Sequence, residues 1–396
     1  MDYEKGFVTG LWTYYRFWGM IKKMKTTVCI LLSGMALMGC KKPYLPPPSS
    51  TSASYLVVEG VVNPGSDSTN ITLSHTIRIS DTTKLNPVTG AIVSVKSDQN
   101  ISFPLTEAAN GHYVSAGLNL DNSHKYQLSI KTSDGKQYLS DIVPVTITPS
   151  IDSIGYNIIA SAADTGLQLY VNTHDVNSNS RYYRWDYDET WSFHSKFSSL
   201  YISNGVKIVL RQPNQLRTFC YASDVSSNIV LGSSAKLQQN VLYQAPITFI
   251  KSTSEKIESE YSILLRQYAL TPDAYNFWTS LRKNTEELGS IFDALPSQLP
   301  GNIHCVTNPA EPVIGYMSVS TVQSKRIFIY NSKLPNWAPL YPYDCQIYPT
   351  GSQGPGFLIP QPNNFVPMSL DGSLYTFSVC ADCTVRGTQV TPPFFK

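Results

Sequence analysis

The stretch Tyr126-Gln-Leu-Ser-Ile-Lys-Thr-Ser-Asp-Gly-Lys-Gln-Tyr-Leu-Ser140 decides the fold class of this chain. Apolar residues recur at every second position from Tyr126 to Ile130, which is typical of a strand with one buried and one solvated face. Asp134-Gly135 then gives the turn signal of a β-hairpin, and residues 137–140 supply the second strand. The stretch therefore predicts antiparallel β structure.

Similar short strands precede this hairpin. They are predicted at Tyr55–Val62, Ile71–Ser74, Ala91–Lys96 and His112–Ser115. Turn signals such as Pro64-Gly65 and Asn110-Gly111 separate them, and this spacing is typical of a β-sandwich. Gly90-Ala91, Gly111-His112-Tyr113 and Tyr126-x-Leu-x-Ile resemble the small transthyretin-like or immunoglobulin-like modules of exported proteins. The sequence predicts an N-terminal β-sandwich over residues 54–149, which ends at a hinge in residues 144–149.

Residues 150–396 are predicted to form a larger β-rich domain. In the strand 181–191, the aromatic residues at 183, 185, 187 and 191 share one face, whereas Arg184, Asp186 and Asp188 share the other. The aromatic face is predicted to be core. This strand is predicted to form a hairpin with the strand 167–172.

One amphipathic helix is predicted in this second domain, over residues 272–288. Thr271 is a good N-cap, Pro272 suits the first helical position, and Gly289 can end the helix. Apolar residues between them recur at helical spacing. We expect this helix to pack on a sheet, and a partner-binding face is the alternative.

The first 53 residues predict export and a lipid anchor. Lys22, Lys23 and Lys25 precede an apolar run at 28–38, and Leu37-Met38-Gly39-Cys40 has the pattern of a lipoprotein cleavage site. Residues 1–39 are thus a predicted signal peptide. Met24 is a more ordinary beginning for such a peptide, and one interpretation of residues 1–23 is an upstream start codon. Cys40 is the predicted lipidation site, and the proline-rich residues 40–53 form a tether. Each buried methylene of an acyl chain contributes about 0.8 kcal/mol to membrane binding.

The charge balance argues against nucleic-acid binding. The chain has 30 Lys and Arg and 28 Asp and Glu, of which the predicted signal peptide carries five and two. The mature chain is therefore close to neutral, and it has no basic stripe. The 25 tyrosines suit an exported β protein, because strands favour aromatic residues.

Five cysteines remain beyond the signal and Cys40, and an exported protein is free to form disulfides. They are Cys220, Cys305, Cys345, Cys380 and Cys383. An odd number leaves at least one thiol outside an internal bridge. We predict a bridge from Cys345 to Cys380 or Cys383, and a second one from Cys220 to Cys305.

No catalytic, cofactor-binding or metal-ligating residues are predicted. The sequence has no Gly-x-Ser-x-Gly, His-Glu-x-x-His, Walker or dinucleotide-binding motif, and its six histidines are scattered. A proline-rich loop at 334–343 carries Trp337, Tyr341 and Tyr343. These aromatic side chains are either a ligand platform or a lid on the core.

An ordered set of motifs runs through the chain. It comprises Leu56-Val-Val-Glu-Gly60, Asp134-Gly-Lys-Gln-Tyr138-Leu-Ser140, Ile151-Asp-Ser-Ile154, Tyr182-Tyr-Arg-Trp185, Asn284-Thr-Glu-Glu-Leu-Gly-Ser-Ile-Phe292-Asp, Gly301-Asn-Ile and Gly315-Tyr316. In this order the motifs resemble the Bacteroidota outer-membrane lipoproteins catalogued as domain of unknown function 4249.

The resemblance implies a noncatalytic accessory or ligand-binding role beside a TonB-dependent receptor of the SusC type in nutrient uptake. The ligand, whether small molecule, peptide or glycan, is left open. The alternatives are a secreted hydrolase with an unrecognised site and an envelope adhesin or spacer. Lys41 and Lys42 replace the acidic residues expected after the cysteine of a surface lipoprotein. Either face of the outer membrane therefore remains a candidate.

Overall fold

The computed structural model describes residues 54–77, 86–161, 164–177, 179–204, 206–286, 301–341, 343–349 and 364–395. The predicted signal peptide, Cys40 and the tether 40–53 lie outside these residues. Strands account for 49% of the structure and helices for 10%, which confirms a mainly β fold. In the described part of the chain, no helix has the length and apolar character needed to span a membrane.

Nine strands form the first part of the fold. They are β1 (Leu56–Val61), β2 (Thr69–His75), β3 (Asn86–Pro87), β4 (Ile92–Ser97), β5 (Ser102–Ala109), β6 (His112–Ser115), β7 (Lys125–Lys131), β8 (Gln137–Ser140) and β9 (Val143–Thr146). Their pairing is antiparallel in the order β8-β7-β4-β5-β6-β2-β1. Alternate residues such as Tyr126, Leu128 and Ile130 enter one core, as the period of two requires.

The rest of the chain adds sixteen strands and two helices among the described residues. They are β10 (Ile151–Ala160), β11 (Thr165–His174), β12 (Tyr182–His194), β13 (Tyr201–Ser203), β14 (Ile208–Leu210), β15 (Phe219–Val225), β16 (Val230–Ser233), β17 (Val241–Lys251), β18 (Glu260–Leu270), α1 (Pro272–Thr285), β19 (Ile303–Cys305), β20 (Val313–Gly315), β21 (Val319–Ser320), β22 (Val322–Tyr330), β23 (Tyr348–Pro349), β24 (Phe365–Pro367), β25 (Leu374–Phe377) and α2 (Ser378–Ala381).

Late strands complete the N-terminal sandwich. β19 pairs with β8, β20 pairs in parallel with β1, and β21 pairs with β9. These strands satisfy the backbone groups of edges that would otherwise be open. The sandwich therefore includes described strands from both sides of residue 149, so the boundary predicted there does not separate it from the strands that follow.

Two glycines of the sequence motifs, Gly301 and Gly315, lie where the structure leaves no room for a side chain. A Cβ at Gly301 would lie 2.1 Å from the carbonyl oxygen of Gly315, and Gly315 itself has φ +145°. Side chains are excluded at both positions, because the late strands approach the first strand through bare backbone.

The central part is a second sandwich with its own core. One layer has the order β10-β11-β17, and the other, here called the central sheet, has the order β15-β12-β18-β22. The aromatic face of β12 is buried in this core, as predicted, and Trp185 is 1% exposed. The predicted β11–β12 hairpin is wrong, because β11 pairs with β10 and β17 in the opposite layer.

Buried hydroxyl groups join the N-terminal sandwich to the central sheet. Thr148 Oγ1 lies 3.0 Å from Ser320 Oγ and accepts the backbone N–H of Ala269 at 2.9 Å. Ser320 Oγ donates to the Ala269 carbonyl oxygen at 3.1 Å. Residues 144–149 are therefore anchored by strand pairing and side-chain bonds, so the predicted hinge is not observed.

Replacing Thr148 tests this junction. Thr148→Val keeps the volume and removes the hydroxyl, which leaves the Ala269 N–H buried without an acceptor. We expect the free energy of unfolding to fall by about 1 to 3 kcal/mol. Urea denaturation followed by tryptophan fluorescence measures it. Thr148→Ser is the matched control, and an equal loss in both variants would contradict the role of the hydroxyl.

Helix α1 spans Pro272–Thr285 and is shorter than the predicted 272–288. Thr271 caps it by accepting the Ala274 N–H, as predicted, and Glu286 is its C-cap. The predicted terminator Gly289 lies outside the described residues. Ala274 and Phe277 are buried, so the apolar stripe packs on the end of the central sheet.

Two disulfides hold the C-terminal segment. Cys345 is joined to Cys380, and Cys220 is joined to Cys383. The predicted Cys220–Cys305 bridge is wrong. Cys305 is a buried free thiol on β19 in the core of the N-terminal sandwich, whereas Cys220 lies on β15 in the central core.

Candidate functional site

A solvent-open cleft lies where the N-terminal sandwich meets the outer face of the central sheet. We call it the interlayer cleft, and its volume is about 490 Å³. The lining residues are Glu59, Gly60, Val61, Asn63, Asp67, Ser68, Asn70 and Thr72 on the sandwich wall, and Arg184, Asp186, Leu264, Arg266, Tyr268, Val322 and Ser324 on the sheet wall. Both walls are rich in hydrogen-bonding groups, and strands or their short connections supply them.

Alternation along β12 and β18 creates the charged part of the sheet wall. Since odd-numbered residues of these strands fill the core, Asp186, Asp188 and Arg266 face outward. Arg266 Nε donates to Asp186 Oδ1 at 2.5 Å. Its two terminal nitrogens donate to the two oxygens of Asp188 at 2.7 and 2.6 Å. This bidentate geometry fixes Arg266 as the centre of a rigid ion-pair ladder.

The ladder keeps the Asp188 carboxylate ionised. The hydrogen bonds from Arg266 lower the pKa of Asp188 below its ordinary value of 3.8, against the opposing effect of burial. Arg326 adds a weaker electrostatic contribution of the same sign. A general acid in hydrolysis needs a raised pKa instead. Asp188 is therefore suited to stabilising the fold as the ionised partner of Arg266.

The lowered pKa of Asp188 predicts a contribution to acid unfolding. Above about pH 5 the carboxylate is ionised in both the folded and the unfolded protein, and the ion pair is intact. Below that pH the unfolded chain binds the proton first, so stability is lost as the pH falls through the lower, folded pKa. Asp188→Asn is expected to flatten the slope of unfolding free energy against pH as the pH falls from about 5 through the folded pKa of Asp188. Urea titrations at several pH values measure this slope, and an unchanged slope would contradict the assignment.

An aromatic clamp borders the ladder. The guanidinium carbon of Arg184 lies 4.8 Å from the centre of the Tyr268 ring and 4.4 Å from that of Trp278 on α1. Burial raises the pKa of Tyr268, so its hydroxyl remains neutral. The clamp holds the Arg184 head group at the edge of the cleft through cation–π contacts.

A second polar cluster closes the far end of the central sandwich. Glu189 is 5% exposed and accepts hydrogen bonds from the Tyr261 hydroxyl at 2.6 Å and from Lys256. Burial, followed by the charge of Glu189, raises the pKa of Tyr261. A cavity of about 270 Å³ lies beside the cluster. Since each charged group has an opposite partner, the cluster stabilises the fold.

The predicted aromatic loop lies near this far end and not at the interlayer cleft. Trp337 packs against the central core, and burial together with Glu258 raises the pKa of Tyr341. Tyr343 is 47% exposed, and its ring centre is 6.0 Å from the Arg386 guanidinium. Trp337 thus covers part of the central core. The structure does not bring these residues together with the residues of the cleft.

The cleft residues that sequence reasoning missed are Arg266 and Tyr268, together with Glu59 and Asp67 on the other wall. Large apolar residues recur at every second position in Tyr261, Ile263 and Leu265. This period of two could have predicted strand β18 and the outward position of Arg266. Across the described ranges, no group of three or more His, Cys, Asp or Glu side chains has a metal-binding arrangement.

Comparison with protein families gives one match. A family model described as a domain of unknown function, DUF4249, matches residues 41–326, which is well over half of the chain. The search of curated proteins gave no match. Every residue that lines the interlayer cleft falls inside the matched range, whereas both disulfides and the aromatic loop extend beyond it.

Proposed function

We propose that this chain, which belongs to the DUF4249 family of domains of unknown function, is a lipid-anchored protein of the outer membrane. In this proposal it is a noncatalytic, ligand-binding partner of a SusC-type TonB-dependent receptor in nutrient uptake. The interlayer cleft carries the binding role, because it is a solvent-open site between two β layers that buried hydroxyl groups hold together.

The anchor rests on Cys40 and its preceding sequence. Leu37-Met38-Gly39 ends an apolar run, and lipidation of the Cys40 thiol with further acylation would hold the folded part at a bilayer. Two disulfides further along the chain support an oxidising compartment, because reducing compartments keep thiols free.

A binding role fits the electrostatics of the cleft better than hydrolysis does. Asp186 and Arg266 line the cleft, and Arg266 holds both Asp186 and Asp188 as fixed partners. Two carboxylates that act as acid and base in glycoside hydrolysis require different protonation states. A ladder that holds Asp188 ionised supports positioning of a ligand instead.

Deletion and complementation test the proposal. The deletion strain is expected to lose uptake of the receptor's nutrient, the wild-type chain to restore it, and Cys40→Ala to fail because the protein is no longer anchored. Growth is measured on single peptide or oligosaccharide sources, with attachment and envelope permeability recorded in parallel. Unchanged uptake in the deletion strain would contradict the proposal, and a defect limited to attachment would favour an adhesin.

A further inference from the structure

One cation of the interlayer cleft is held rigidly at its edge. Arg184 extends from β12, and its guanidinium carbon lies over the rings of Tyr268 and Trp278, 4.8 and 4.4 Å from their centres. Its side chain is 17% exposed. Two aromatic contacts restrict the guanidinium plane before any ligand arrives, so binding would cost less conformational entropy.

The hydrogen-bonding capacity of Arg184 is largely unused. A guanidinium has five N–H donors. Among the described residues, the Arg184 side chain makes one hydrogen bond, from Nη2 to Asp186 at 3.5 Å, and its buried Nε has no partner. Arg266 takes Asp186 at 2.5 Å, so this carboxylate is already engaged. The terminal nitrogens of Arg184 therefore remain available for a carboxylate in the cleft.

The opposite wall carries available charges of the other sign. Glu59 on β1 and Asp67 in the β1–β2 connection are both exposed and line the cleft. Within the described ranges, neither side chain has an ion pair or a side-chain hydrogen bond. Ser68, Asn70 and Thr72 line the cleft beside them. A cation bound at this wall would meet two carboxylates and several neutral acceptors.

We infer that the interlayer cleft binds a zwitterionic ligand, a free amino acid or short peptide. Arg184 holds its carboxylate, and Glu59 and Asp67 hold its ammonium group. A ligand with both charges satisfies both walls, whereas a singly charged ligand leaves one wall without a partner. The cleft volume of about 490 Å³ falls within the usual range for small ligands, roughly 300 to 1,000 Å³. This inference rests on the proposed binding role of the cleft and is independent of the receptor.

Blocked peptides test both ends of the ligand separately. The full-length lipidated protein, purified in detergent, is titrated calorimetrically with trialanine, N-acetyl-trialanine and trialanine amide. Trialanine is expected to bind, and each blocked form is expected to bind at least about tenfold more weakly, because one charge-assisted contact is lost. Absence of trialanine binding, or equal affinities for the three peptides, would overturn the inference.

Charge-neutral variants test which wall of the cleft binds the carboxylate of the ligand and which wall binds its ammonium group. Arg184→Gln is expected to abolish the preference for a free carboxylate and keep the preference for a free ammonium group. The double variant Glu59→Gln/Asp67→Asn is expected to do the reverse. Arg217→Gln, at the distant Arg217–Asp382 pair, is the control and leaves both preferences intact.

If a folded Arg184→Gln variant lost affinity equally for all three peptides, the assignment of Arg184 to the ligand carboxylate would be overturned. Receptor co-purification is measured on the wild-type protein to separate the two proposals. Recovery of the receptor by a wild-type protein that does not discriminate among the three peptides contradicts only the zwitterion site. Peptide discrimination without receptor recovery from the wild-type protein contradicts only the receptor partnership.

Discussion

Removing the Cys220–Cys383 disulfide is expected to lower the free energy of unfolding by about 2 to 5 kcal/mol. The bridge joins residues 163 positions apart, so its loss releases a long loop in the unfolded chain. Both sulfurs lie in the central core, where Cys220 and Cys383 are fully buried. Cys220→Ala/Cys383→Ala is therefore expected to unfold at a clearly lower urea concentration than the wild-type protein.

Two comparisons make this prediction specific. Cys345→Ala/Cys380→Ala removes the shorter bridge, whose cysteines are 35 positions apart, and is expected to cost less in the chain-entropy account. Cys305→Ala is the control for a buried free thiol, because it breaks no covalent link. Equal urea midpoints for the wild-type protein and the Cys220/Cys383 double variant would refute the stabilising role.

Replacing Trp185 with alanine is expected to destabilise the central sandwich by about 3 to 5 kcal/mol. Trp185 is 1% exposed and stacks on Tyr183 with ring centres 5.9 Å apart. Its Nε1 donates to Gln267 Oε1 at 2.9 Å, and Gln267 Nε2 donates to the Pro149 carbonyl oxygen and to Thr173 Oγ1. Trp185→Ala loses the packing contacts of the indole ring, and it leaves Gln267 Oε1 without the N–H that donates to it.

Trp185→Phe separates these two contributions. It retains most of the ring packing and leaves Gln267 Oε1 without its donor, so a smaller loss of about 1 to 3 kcal/mol is expected. Trp278→Ala is the matched control outside the two cores, because this half-buried ring packs on Arg184 and Phe277 and belongs to neither core cluster. Urea and thermal unfolding measure all three. A loss below about 1 kcal/mol in Trp185→Ala would contradict the core role.

The strands with clean alternation could be predicted from the sequence. His112–Ser115 and Gln137–Ser140 agree with the structure residue for residue, and the aromatic face of β12 is the core face. Local periodicity determines these features, because successive side chains of a strand point to opposite faces. The cap and first turn of α1 were predictable for a similar reason, since Thr271 and Pro272 act on adjacent backbone groups.

Long-range pairing could not be predicted in this way. The addition of β19 and β20 to the N-terminal sandwich joins residues more than 150 positions apart, and no local pattern encodes it. The predicted Cys220–Cys305 bridge was wrong for the same reason. Residue 305 lies in the core of the N-terminal sandwich, whereas Cys220 lies in the central core. The cleft depends on the same long-range closure, since its two walls come from β1–β2 and from the central sheet.

The most direct test of the proposed function is an affinity purification of the tagged protein from gently solubilised outer membranes. Partners are identified and quantified by mass spectrometry, and Cys40→Ala serves as the unanchored control. The proposal predicts near-stoichiometric recovery of a TonB-dependent receptor with the wild-type protein and its loss with Cys40→Ala. Recovery of the fully lipidated wild-type protein without any receptor would contradict it.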